Sequence, residues 1–172
     1  MIPHIRNILY ATDLSKNSVY AYRYAMDMAK KYDAMIVLLH VIEPIPPMVK
    51  HYVKGFADEI NWDEKIKYEQ EKAIEQIKTR LQEFCKRESQ NDLRCLTLVS
   101  RILVQSGHPV DEILEVALKE DCDLIVLGTH GKGFLKQTFL GSVARSVLDR
   151  ARKPVLIIPL PHGETDATID GI

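Results

Sequence analysis

Cysteine is scarce in this chain. Three in 172 residues, Cys85, Cys95 and Cys122, make an odd count with no CxxC pair. That argues against a disulfide framework and a zinc site, and it fits a reducing compartment. Charge of one sign is missing too: 23 basic against 24 acidic side chains leave a formal net charge of −1. No global field therefore recruits nucleic acid or an anionic membrane. Long apolar runs are absent. Stretches such as Met35 to Leu39 and Val155 to Ile158 are strand-length and far too short to span a bilayer. Met1-Ile2-Pro3-His4-Ile5-Arg6 has neither a signal-peptide core nor a small-residue cleavage site, so a cytoplasmic location is expected. The six histidines show no metal-ligand spacing.

What remains is globular composition, with 46% hydrophobic and 27% charged residues in a chain long enough for one domain. Strand-like and helix-like segments alternate. Ile5 to Ala11 is a short apolar run ending in the polar turn Thr12-Asp13-Leu14-Ser15. From Ser18 to Tyr32, Val19, Tyr22, Met26 and Ala29 recur at helical spacing. Ala34 to Ile42 is nearly continuous and rich in branched side chains, as in a strand covered on both faces. Three prolines in the four residues Pro44 to Pro47 exclude regular structure, and a loose stretch continues to about Trp62. It is read as packing over the second helix, with a lid or docking site as alternatives.

Asp63 to about Arg87 reads as a long charged helix with the stripe Ile66, Ala73, Ile77, Leu81 and Phe84. Leu93 to Val104 reads as a third strand. Pro109, followed by Asp111 and Glu112, opens a third helix, where proline and acids both suit the first turn. Asp123 to Leu127 is strand four. Ser142 to about Ala151 is a helix with Val143, Val147 and Leu148 inward, and Pro154 to Pro159 is strand five. The pattern predicts an α/β fold, a doubly wound five-stranded parallel sheet flanked by four helices. Residues 1–160 form the domain, and the polar, aperiodic 161–172 read as a flexible tail.

In such a sheet ligands bind beyond the carboxyl ends of strands, where the strand order reverses. Two loops qualify: Ala11-Thr12-Asp13 after strand one, and Gly128-Thr129-His130-Gly131-Lys132-Gly133 after strand four, leading to Gly141-Ser142 at a helix start. Gly128, Gly131 and Gly133 let a ligand approach the backbone. The helix start offers unpaired N–H groups to an anion. Lys132 and Lys136 add charge or are simply solvated. Asp13 is placed to accept from a ribose hydroxyl, to hold a metal ion, or merely to cap the next helix. There is no GxxxxGK[ST], which excludes a Walker-type site, and no GxGxxG after strand one, which argues against a dinucleotide site. Ser142 lies outside any GxSxG elbow and reads as an N-cap and phosphate donor. His40 reads as a satisfied core residue.

The second loop fits G-x2-G-x9-G-[ST], with Gly128, Gly131, Gly141 and Ser142 in register. That spacing, followed by SVARSVLDRARKPVLIIP, resembles the nucleotide-binding signature and last strand of universal stress proteins. NILYATDLSKNSVYAYRYAMDMA, IVLLHVIEP and VQSGHPVDEIL resemble the family's first strand and helix, second strand, and entry to the third helix. The resemblance runs from about Ile5 to Pro159. It implies strand order 3-2-1-4-5 and a crevice between strands one and four that takes ATP, with or without a divalent cation such as magnesium. It places Asp13 at the ribose or adenine side, with Ala11 and Thr12 beside it, and the backbone of Val41 at adenine. Leu127, Gly128 and Gly131 then run under ribose and phosphates, and Gly141, Ser142 and Val143 cap the phosphates. Many members have proline before the Thr-Asp pair, whereas this chain has Ala11, leaving that loop less constrained.

The resemblance also implies a homodimer through Val155, Leu156, Ile157 and Ile158 of the last strand. The function expected is a dimeric, nucleotide-binding stress-response module. The alternatives are a slow ATP-hydrolysing enzyme and a dimeric partner-docking module that binds no nucleotide. A receiver domain is excluded, because Asp13 stands alone and Pro159-Leu160-Pro161 occupies the place of the lysine it needs.

Overall fold

A computed structural model describes residues 4–44, 62–89, 97–129 and 140–159. The elements are β1 (Asn7–Thr12), α1 (Lys16–Tyr32), β2 (Met35–Ile42), α2 (Trp62–Glu88), β3 (Val99–Ser106), α3 (Pro109–Lys119), β4 (Leu124–Gly128), α4 (Ser142–Arg150) and β5 (Val155–Ile158). The sheet has the order β3-β2-β1-β4-β5, with every neighbouring pair parallel. This is the expected architecture. The Pro-rich loop over 45–61, His130 to Lys136 and the tail lie outside the described residues.

Alternation along the strands sorts the core into two layers. Ile8 and Tyr10 of β1, Ile36 and Leu38 of β2, and Leu124 and Val126 of β4 face α1 and α2. Leu9, Val37, Leu39, Ile125 and Leu127 face α3 and α4. The near-continuous apolar run of β2 is thus explained, since both of its faces are covered. The predicted stripe of α1 is buried in full, and on α2 Leu81 and Phe84 reach the core. Burying each such aliphatic side chain stabilises the fold by about 1.5–3 kcal/mol. An aromatic chain ties the first layer together: Tyr10 to Tyr22 at 5.5 Å between ring centroids, and Tyr22 to Phe84 at 4.8 Å.

Two expectations need correction. β3 spans Val99–Ser106, and Thr97 and Leu98, expected as strand, are helical; residues 93–96 of that expectation lie outside the described residues. Val99 sits opposite Ile36, one residue after β2 starts at Met35, so the start of β3 matches the start of its partner to within one residue. On α4, Leu148 is 43% exposed, and the inward residue beside Val147 is Ala144. One residue turns a helix by about 100°. The narrow contact stripe of this short helix holds Val143, Ala144 and Val147, and Leu148 falls outside it.

Leu81→Ala is expected to cost about 2–5 kcal/mol of unfolding free energy and Leu148→Ala under about 0.5, as read from urea midpoints. The Cys122 thiol is pushed up to about 12, first by burial and then by neighbouring carboxylates such as Glu120. A thiol raised on folding stabilises the fold fully below its ordinary value of 9.0, and that contribution is lost between there and about 12. At pH 8 the folded protein should therefore leave Cys122 unalkylated by iodoacetamide, and urea should expose it. Mass spectrometry of the labelled chain reads both states.

Candidate functional site

The ladder between β1 and β4 is fastened at one end and open at the other. At its start the Asp123 carboxylate accepts from the backbone N–H groups of Arg6 and Asn7, at 2.8 and 3.1 Å. Asp123 N–H donates to the Asn7 carbonyl at 2.7 Å. The pairing then runs Ile8 with Leu124, Leu9 with Ile125 and Tyr10 with Val126, and stops. Beyond that point β1 stays paired with β2 through Thr12 and His40, while β4 stays paired with β5 through Gly128 and Ile158. The sheet parts at the carboxyl ends of β1 and β4. This is the switch point of the strand order, where open α/β sheets hold ligands.

On the β1 side the chain makes a tight turn. Leu14 takes a positive φ of 63°, and its N–H is turned back to Thr12 Oγ1 at 3.1 Å. That N–H is thereby withdrawn from the sheet, and the β1–β2 ladder ends at Thr12 and His40. Asp13 Oδ1 accepts from both the N–H and the hydroxyl of Ser15, at 3.1 and 2.7 Å. Its other oxygen, Oδ2, is buried and has no hydrogen-bond partner among the described residues. An unpaired buried carboxylate oxygen costs free energy, so the protein keeps it against its own stability.

The residue at the α1 cap position is Ser15, not Asp13. Asp13 is fastened to the cap and is not the cap itself. Beneath the turn, His40 is buried with its Nδ1 2.8 Å from the Thr12 carbonyl.

On the β4 side Leu127 is buried and Gly128 half-buried. Thr129 N–H donates to the Ile158 carbonyl at 3.0 Å, and the Thr129 carbonyl accepts from Gly141 N–H at 2.7 Å. The second bond brings the start of α4 back to the end of β4. Gly141 is the N-cap, at φ −64° and ψ 159°, so Ser142 is the first helical residue and not the cap expected. The helix accepts its first bond at Gly141, from Arg145 N–H at 3.0 Å. The N–H groups of Ser142, Val143 and Ala144 precede that bond and have no carbonyl within the helix to meet. No acidic residue lies in this first turn to compete with an anion.

Ala11, Thr12, Asp13, Val41, Leu127, Gly128, Gly141, Ser142 and Val143 are therefore gathered at the carboxyl end of the sheet, around its parting. Gly131, Lys132 and Lys136 lie outside the described residues. Sequence reasoning missed Ser15, which fixes one carboxylate oxygen, and the contact between His40 and Thr12. Neither had a signal in one segment: Thr12 ends β1 but meets His40 two residues before β2 ends at Ile42, a register set only by the pairing of the two strands.

The arrangement sets a carboxylate oxygen at one lip and the N–H groups of a helix start at the other. Residues 4–159 match the model of the Universal stress protein family. Universal stress protein MJ0531 of Methanocaldococcus jannaschii is 32% identical over 162 residues, covering 92% of this chain and 85% of that protein. The structure of hypothetical protein MJ0577 superposes with a TM-score of 0.62 at 27% identity, covering 94% of this chain and 100% of the other. A universal stress protein solved in complex with cAMP shares the fold at a TM-score of 0.52 and 21% identity, covering 91% of this chain and 98% of that one.

Proposed function

The chain belongs to the universal stress protein family, and from that premise we propose that it binds ATP or a related adenine nucleotide between β1 and β4. The observation that carries this reading is the buried, unpartnered Oδ2 of Asp13 at the lip of the parted sheet. A ribose hydroxyl is a donor suited to it, and its second oxygen is already held by Ser15. Across the crevice the N–H groups at the start of α4 and the Ser142 hydroxyl suit phosphate. In this reading Ala11, Thr12 and Val41 border the base, while Leu127, Gly128 and Gly131 run beneath ribose and phosphates. Gly141 matters for what it lacks. Its φ is one any residue adopts, so glycine there makes room and relieves no backbone strain.

Among the described residues no group of three or more His, Cys, Asp or Glu is placed to hold a metal ion. A cation such as magnesium, where one accompanies the nucleotide, belongs in this reading with the phosphates. We further propose that two chains pair through β5. That strand bonds β4 on one side, and Val155, Leu156 and Ile157 are half-buried. An open apolar edge is a template for another strand.

Calorimetric titration of nucleotide-stripped protein with ATP and magnesium should give saturable binding. Gly141→Val should weaken it at least tenfold with the fold intact, and Asp13→Ala by about tenfold or more, the worth of a hydrogen bond to a charged group. No binding by folded wild-type protein would sink the nucleotide reading. Phosphate release during the titration, lost in Asp13→Ala, would replace the binding module with the slow enzyme.

For the pairing, light scattering should report twice the chain mass. Ile157→Lys should halve it while the circular dichroism spectrum is kept. A monomeric wild type removes the β5 proposal.

A further inference from the structure

A histidine among aliphatic residues of a central strand has to justify the loss of its hydration. His40 is 7% exposed, between Leu39 and Val41, and its Nδ1 lies 2.8 Å from the carbonyl of Thr12, which is 28 positions away in the chain. A carbonyl only accepts, so Nδ1 carries the hydrogen and donates it. Thr12 is the last residue of β1, and it pairs with His40 as the final step of the β1–β2 ladder.

The carbonyl of Thr12 and the nitrogen of Asp13 belong to one planar peptide unit. Fixing the oxygen therefore fixes the plane from which the Asp13 side chain departs. The far end of the turn is held as well. Ser18 N–H donates to the Ser15 carbonyl at 3.1 Å, and the Tyr10 hydroxyl donates to the Ser18 carbonyl at 2.5 Å. The turn that presents the unpaired Oδ2 is thus clamped on both sides by side chains from the sheet. Leucine or valine at position 40 would fill the same layer and supply no donor.

Resting on the nucleotide-binding reading above, we propose that His40 is a positioning residue. Its Nδ1–H holds the Thr12–Asp13 peptide so that the Asp13 carboxylate stays aimed into the crevice. It touches no ligand and acts through Asp13 alone. The δ-amide of asparagine places an N–H near the position of Nδ1, so His40→Asn keeps the clamp and His40→Leu removes it.

The experiment titrates ATP with magnesium into wild type, His40→Leu, His40→Asn and each combined with Asp13→Ala, beside hydrogen exchange of the Ser15 amide without nucleotide. His40→Leu should weaken ATP about fivefold to tenfold, the range of one buried hydrogen bond. His40→Asn should return affinity to within about twofold, still on the scale of that one bond. In the Asp13→Ala background neither change at position 40 should matter further, because the clamp has nothing left to aim. The Ser15 amide, bonded to Asp13 Oδ1, should exchange faster in His40→Leu and at the wild-type rate in His40→Asn.

An equal loss in both backgrounds, or no rescue by asparagine, overturns the positioning role and leaves His40 a core residue. Should wild type bind no ATP, the exchange arm decides alone. Faster Ser15 exchange in His40→Leu keeps the clamp while the nucleotide reading fails, and unchanged exchange rejects both.

Discussion

The structure depends on where one hydrogen-bond ladder stops. β1 and β4 are neighbours in the sheet, and Asp123 fastens them at their start, yet they share no pairing past Tyr10 and Val126. The ladders on either side continue past that level. This one opens a crevice by ending early, and the open ends are stabilised separately: β1 by β2 on one side, β4 by β5 on the other. A parallel sheet buried on both faces can tolerate such a parting at its switch point because the layers above and below do not depend on those last bonds.

The layers supply what the parting gives up. Tyr10 serves both ends of this arrangement. Its ring packs on Tyr22 in the α1–α2 layer, and its hydroxyl holds the carbonyl of Ser18 in the first turn of α1. Burial pushes the Tyr10 hydroxyl well above the usual tyrosine range, so it stays a neutral donor wherever the protein is folded. Rigidity at the crevice is therefore borrowed from the core. The unpaired carboxylate oxygen of Asp13 is a local weakness that the packed layer beneath it can carry.

Local pattern was enough for most of the fold. The continuous run of β2 and the three- and four-residue spacing on α1 each follow from which faces are covered. The misreadings share a cause, which is that a partner elsewhere decides the outcome. The apolar residues before Val99 look like strand, but Thr97 and Leu98 are helical, and β3 starts level with the start of its partner β2. Leu148 matches helical spacing with Ala144, and the width of the contact stripe on a short helix excludes it. Strand order itself came from the family resemblance and not from periodicity. In the site, the acid and the glycines were visible as residue types. That Ser15 takes one oxygen of Asp13, and that His40 meets Thr12, depends on turn geometry and register, which no single segment encodes.

The bond between Thr129 and Gly141 separates two histories within one loop. Because the two ends already meet, the chain between them is a closed excursion, and doubling its length would add about 0.6 kcal/mol of closure entropy. Folding therefore has little interest in how many residues lie between Gly131 and Gly141. In the nucleotide-binding reading proposed above, a fixed count there is a demand of the ligand alone. A descendant released from that ligand could let the loop drift in length while α4 stayed in its place. Loop length, compared among relatives of equal stability, then becomes a record of which lineages still bind.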